Sequence, residues 1–95
     1  MYLFTWDDNK DKINQKKHGV SFDEAKTVFY DEDALVEYDE DHSDQEERFR
    51  ILGYSNKGNL LLVVHCIREG TIIRIISSRK ATANEKNIFD RRMLL

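Results

Sequence analysis

The chain has 95 residues, enough for one domain and too few for two ordinary ones, so a single domain spanning 1–95 is expected. Its net charge of −3 hides a division: residues 1–47 carry 15 acids and 5 bases, whereas residues 48–95 carry 10 bases and 3 acids. Such asymmetry points either to nucleic-acid or partner binding, or to halves that neutralise each other across one fold. The absence of proline and the presence of only 4 glycines exclude linker-rich sequence. The longest apolar run, residues 60–64, is far too short to cross a bilayer, so no membrane partner is expected. Cys66 stands alone, which excludes an intrachain disulfide. The first residues lack the basic start and apolar stretch of a secretory signal, and a cytoplasmic location is the expectation.

Residues 3–6 form a short apolar and aromatic run that reads as a strand. Asp7 then suits the N-cap of a polar helix over 8–17, which Gly19 ends. Ser21 and Glu24 have capping-box spacing, and Phe22, Ala25, Val28 and Phe29 follow the helical period of a second, amphipathic helix. Residues 31–47 contain ten acids and no base, interrupted by an edge strand at 34–38. Three apolar-rich strands follow at 48–55, 60–68 and 71–79, joined by tight-turn sequences at 56–59 and 69–70. Thr82 and Glu85 form a second capping box, opening a last helix through about Arg92. The order β-α-α-β-β-β-β-α predicts an α+β domain with a mostly antiparallel sheet, two N-terminal helices and one C-terminal helix.

Two-residue loops at Lys57-Gly58 and Glu69-Gly70 would pair Arg50 with His65, and His65 with Arg74. The core face would then carry Phe49, Ile51, Leu62, Val64, Cys66, Ile73 and Ile75. The Arg50-His65-Arg74 row would lie on the other face, with Leu52, Val63 and Ile76 beside it. Two arginines flanking a histidine want an anion between them, and a guanidinium fork suits phosphate or carboxylate. Acids from 31–47 folding over the row would satisfy it equally well.

The remaining histidines have simple readings. His18 follows Lys16 and Lys17 at the end of the first helix, where the dipole favours positive charge, and His42 lies among surface carboxylates. The histidines are 24 and 23 residues apart, with no paired cysteine or histidine motif, so neither a metal nor another cofactor is expected. Asp39-x-Asp41-x-Ser43 begins like a calcium loop but lacks the glycine and glutamate that such a loop requires.

The blocks Phe4-Thr5-Trp6-Asp7-x-x-Lys10 and Asn14-x-x-Lys17-His18-Gly19-Val20-Ser21-Phe22-x-x-Ala25-x-x-Val28-Phe29 resemble the start of the BrnT family of toxins. Glu46-Glu47-Arg48-Phe49, Gly53-Tyr54-Ser55 and Arg74-Ile75-Ile76-Ser77-Ser78-Arg79-Lys80-Ala81 resemble its later blocks. The resemblance runs from about Phe4 to Phe89. It implies a RelE-like ribonuclease fold, RNA cleavage that arrests translation, and neutralisation by a BrnA-like antitoxin. That antitoxin would carry a ribbon-helix-helix region, so operator DNA would be reached only through it. Two positions depart from the family: Ser78 replaces its usual alanine, and Phe89 stands where it carries a tyrosine.

RNA cleavage without a metal needs a base for the 2′-OH, positive charge for the phosphate, and an acid for the 5′ leaving oxygen. Arg48, Arg50, Arg74 and Arg79 are candidates to hold the phosphate, although strand alternation places Arg79 on the face opposite Arg74. His18, in the family block, and His65, in the inferred row, are candidate proton carriers, with Glu47 as a competing base. Lys17, Lys80 and Tyr54 are candidate RNA contacts, Tyr54 by base stacking or else as a packed aromatic. The competing function is a non-catalytic module that docks a DNA-binding partner in an autoregulated operon.

Overall fold

The computed structural model describes residues 2–44 and 46–93. Strand β1 (Leu3–Thr5) leads into helix α1 (Asp8–His18), whose Asp7 cap accepts from the N–H groups of Asn9 and Lys10 at 2.8 and 3.1 Å. Gly19, at φ 69°, closes the helix in the left-handed conformation that glycine adopts without strain. Helix α2 (Phe22–Lys26) starts at Ser21, whose hydroxyl accepts the Glu24 N–H at 3.1 Å, and continues as a 3-10 turn over Thr27–Tyr30. Glu24 does not reach back as a capping box requires. Its carboxylate instead accepts from the Ser55 hydroxyl and the Asn59 amide at 2.6 and 2.8 Å, tying α2 to a hairpin loop. Burial pushes the Glu24 carboxyl up, but these two bonds and nearby lysines leave it below the ordinary range.

Strands β2 (Leu35–Tyr38), β3 (Phe49–Tyr54), β4 (Leu60–Arg68) and β5 (Ile72–Lys80) form an antiparallel meander, followed by α3 (Ala83–Met93). β1 returns beside β5 in parallel, giving a five-stranded mixed sheet of order β1-β5-β4-β3-β2. The α+β class and the helix placement agree with the sequence reading; the parallel β1 is the addition.

The helix-covered face holds the main core, where Val20, Phe22, Ala25 and Val28 pack on Ile51, Leu61, Val63 and Ile75. Asn14 joins α1 to the stretch of β5 that β1 does not reach. Its amide donates to the carbonyls of Ser78 and Val20 at 2.8 Å, and its oxygen accepts the Ser78 N–H at 3.1 Å. One side chain thus supplies the backbone partners that a neighbouring strand would. On the opposite face α3 buries Phe89 against Leu52 and Leu60, with Leu35, Leu62 and Ala81 around them.

The inferred hairpin register is off by one in both turns. Between β3 and β4, Ser55 N–H donates to Asn59 O and Gly58 N–H to Ser55 O, with Gly58 at φ 78°. This is a loop of residues 56–58 with glycine in the left-handed position, one residue longer than expected. Phe49, not Arg50, therefore faces His65. The slip turns all of β4 over: Leu62, Val64 and Cys66 leave the helix-covered face, and Leu61, Val63 and His65 replace them. The second turn does use Glu69 and Gly70 at positive φ, but its ladder starts at Arg68 and Ile72, so His65 faces Ile75 and not Arg74.

Candidate active site

Arg50, Arg74 and Arg79 share the face of the sheet opposite α1 and α2. Val64 pairs with Ser77 but His65 pairs with Ile75, so Ile76 is an extra residue on β5. Five residues separate Arg74 from Arg79, which in a regular strand places them on opposite faces. The bulge reverses the alternation between them, and both point the same way. Arg79 therefore joins Arg74, where plain strand alternation put it on the opposite face.

Three rows cross this face. Leu35, Leu52, Leu62 and Arg79 form one, Glu37, Arg50, Val64 and Ser77 the next, and Cys66 with Arg74 the third. At sheet spacings Arg50 is separated from each of the other two arginines by about 10 Å across the strands and about 7 Å along them. The three arginines thus project from positions around a floor of Val64 and Ser77 on one face of the sheet.

Their charge is partly answered by acids. Arg50 Nη2 lies 2.6 Å from Glu37 Oε1, while its buried Nε has no hydrogen-bond partner among the described residues. Arg79 grips Glu85 with both terminal nitrogens at 2.7 and 3.0 Å. That fork holds the Glu85 carboxyl below its usual range and raises Arg79. Glu85 also completes the reciprocal capping box with Thr82, accepting its N–H at 2.8 Å while Thr82 Oγ1 accepts the Glu85 N–H at 3.1 Å. Glu37, Arg50, Leu62, Glu85 and Ile88 line one cavity of about 220 Å³ between α3 and the sheet. Beyond it, Glu46 takes Arg68 Nε at 3.0 Å and the Cys66 thiol at 3.2 Å. Those contacts lower the Glu46 carboxyl, Arg68 first, while burial and the carboxylate keep the Cys66 thiol protonated. Among the described residues the acidic segment 31–47 pairs with the basic face through Glu37 and Glu46, and Arg48 and Arg74 have no ion-pair partner.

The other site candidates are dispersed. His65 is 3% exposed on the helix-covered face, its ring between Phe29 and Phe49 at 4.7 and 5.9 Å. Burial lowers its pKa, and Nδ1 meets the Val63 carbonyl at 3.3 Å. The Arg50-His65-Arg74 row does not exist. Lys17 and His18 are exposed at the end of α1, across the sheet from the arginines. Arg48, just ahead of β3, lines an acidic cleft with Asp41, His42, Asp44 and Glu46, and Glu47 is exposed beside it. Tyr54 stands edge-on to Phe89 at 5.6 Å and lines an open cleft with Asn59, Lys80, Thr82 and Lys86. Phe89 is a core residue. No three histidine, cysteine or acidic side chains converge as a metal set among the described residues.

Glu37 and Glu85 were not singled out from the sequence. Glu85 was visible only as a capping residue, and Glu37 only as one acid of ten; their pairing with arginines depends on β2 register and on the β5 bulge.

The sequence profile of a family described as "Ribonuclease toxin, BrnT, of type II toxin-antitoxin system" matches residues 6–85. Among solved structures, the Brucella abortus ribonuclease toxin BrnT is similar at 21% identity and a TM-score of 0.66, covering 86% of this chain and 99% of its own. That likeness concerns the fold. No curated protein sequence matches the chain.

Proposed function

The chain belongs to the BrnT family of ribonuclease toxins of type II toxin–antitoxin systems, and on that footing we propose that the arginine-bearing sheet face is its RNA-cleaving centre. A ribonuclease toxin of this class has an RNA substrate and a cognate antitoxin. The observation that carries the assignment is the convergence of Arg50, Arg74 and Arg79 on one face, beside the Glu37 carboxylate.

In this reading a scissile phosphate sits over Val64 and Ser77. Arg50 donates to one of the phosphate oxygens from the exposed end of its guanidinium, and Arg74 and Arg79 balance the charge that develops as phosphorus becomes pentacoordinate. Glu37 takes the proton from the 2′-OH. The 2′ oxygen then bonds to phosphorus, the bond to the 5′ oxygen breaks, and that oxygen is protonated from water. The products are a 2′,3′-cyclic phosphate and a 5′-hydroxyl. No step calls on a metal or another cofactor. Glu47, exposed next to Arg48, is the competing base. Tyr54 and Lys80 hold the RNA beyond the arginines, and Lys17 with His18 contact backbone that wraps round the sheet edge. Cleavage in the cytoplasm arrests translation, and a BrnA-like ribbon-helix-helix antitoxin neutralises the chain and brings it to operator DNA.

The test is cleavage of a defined RNA by the purified chain, with and without EDTA, with the product ends identified. Undiminished cleavage in EDTA and a loss of about 100-fold in Glu37→Gln are expected. Loss of activity in EDTA overturns the metal-free mechanism. Full activity in Glu37→Gln together with inactive Glu47→Gln transfers the base to Glu47.

A further inference from the structure

We propose that the outer edge of β2, with the aromatic cleft beside it, is where the cognate antitoxin docks, as an extended segment that pairs with β2. Among the described residues β2 is bonded to β3 alone, so its other side presents unpaired backbone groups. Sheet proteins usually blunt such an edge with lysine, proline or a covering element. Here the strand is Leu-Val-Glu-Tyr, with Val36 59% and Tyr38 43% exposed.

The surface next to it is equally unfinished. Register puts Val36 and Tyr38 on the helix-covered face, opposite Ile51 and Phe49. Helices α1 and α2 do not cover that end. Instead Tyr2, Phe29, Tyr30, Val36 and Ile51 surround an open cleft of about 410 Å³. Its aromatic wall is organised: Tyr2 meets Tyr30 edge-on at 5.2 Å, and Phe4 packs on Phe29 at 5.4 Å. Tyr30 is nevertheless 60% exposed, so the wall is held in place without being used. Asp31 and Glu32 rim the same cleft, at the head of a segment with ten acids and no base.

An occupant is specified by these features. A paired strand satisfies the free backbone groups, its alternate apolar side chains enter the cleft, and lysine or arginine at its ends meets the acids. Residues of that strand pointing to the opposite face lie beside Glu37 and Arg50, so the bound segment walls off the 220 Å³ cavity. The acidic half of the chain then has a use separate from the arginines: it selects a basic, partly apolar partner. The assignment rests on the toxin reading above, which supplies the antitoxin as partner.

The test uses the full chain and the antitoxin encoded with it. Hydrogen exchange on the wild-type complex should show new protection across residues 35–38. Tyr30→Ala and Glu32→Lys, both remote from the arginines, should keep RNA cleavage within about twofold while raising the antitoxin Kd about tenfold each. Val36→Lys, which places a charge on the edge itself, should raise it further. Protection confined to α1 or α3, or unchanged affinity in all three variants, overturns the docking surface. If the wild-type chain cleaves no RNA and is not bound by the antitoxin, the functional reading itself has failed, and the docking surface with it. Should Tyr30→Ala unfold, the exchange map and the fully exposed Glu32→Lys still decide the matter.

Discussion

On the helix-covered face of the sheet, Ile51, Leu61, Val63 and Ile75 meet Val20 and the apolar side of α2 and its 3-10 extension. The buried Asn14 side chain there is fully partnered, while the Ser78 hydroxyl lacks a partner among the described residues. On the opposite face β3 and β5 present Arg50, Arg74 and Arg79, with charge answered piecemeal by Glu37 and Glu85 and a covering helix over one end only. Apart from the Ser78 hydroxyl, the first face is satisfied by the chain itself. The second holds more donors than the described residues have acceptors for, including an unpartnered Arg50 Nε. A surplus of buried or half-buried donors costs stability, and the surplus is concentrated where an anion would remove it. The difference separates what folds the protein from what it acts with.

Variants that break the first face should act on stability. Phe22→Ala empties a fully buried site in the main core and should cost about 3–5 kcal/mol, enough to unfold a domain of this size in a urea titration. Gly53→Ala should cost about 1–3 kcal/mol. A Cβ there would stand 2.9 Å from the Ala34 Cβ and 3.1 Å from Asp31 Oδ2, in a strand packed hard against the chain that crosses it. Neither change touches an arginine, so any protein that remains folded should cleave RNA normally.

His65 sharpens the contrast further. Its pKa is lowered by burial, so between that lowered value and about 6.5 the unfolded chain binds more protons than the folded one. Stability contributed by neutral His65 is therefore complete above about pH 6.5 and declines as the pH falls below it. Urea midpoints at pH 7.5 and 5.5 should differ more for wild type than for His65→Phe, and cleavage should survive the substitution. Activity lost in His65→Phe with stability retained would return the ring to the chemistry. The smallest effect is expected at Ser78, whose buried hydroxyl has no partner among the described residues. Ser78→Ala should stabilise by about 1 kcal/mol, seen as a higher Tm.

Much of the local helical structure was legible in the sequence. The caps at Asp7 and Ser21, the period of Phe22, Ala25 and Val28, and the Thr82–Glu85 box each depend on neighbours a few residues apart. The arginine face was legible in composition but not in geometry. Its parity is set by a third residue in the 56–58 loop and by one extra residue at Ile76, and a strand read by alternation cannot show either. Those two single-residue shifts moved His65 from the proposed site into the core and brought Arg79 onto the face of Arg74. The parallel return of β1 escaped for a related reason, since three residues carry too little pattern to fix their pairing.

If the arginines on one face form a single phosphate site, their contributions to cleavage are coupled. Single-turnover cleavage of one RNA by Arg50→Ala, Arg79→Ala and the double variant measures this directly. Each single variant should lose about 100-fold or more, and the double should lose far less than the product of the two, because both groups stabilise the same transition state. Arg50→Ala frees only the exposed Glu37 and should change stability by no more than about 1 kcal/mol. Arg79→Ala strips Glu85 of its fork and should lower the urea midpoint, so cleavage is compared where every variant is folded. Cleavage at the wild-type rate by the folded double variant would contradict a single site and move the chemistry off this face.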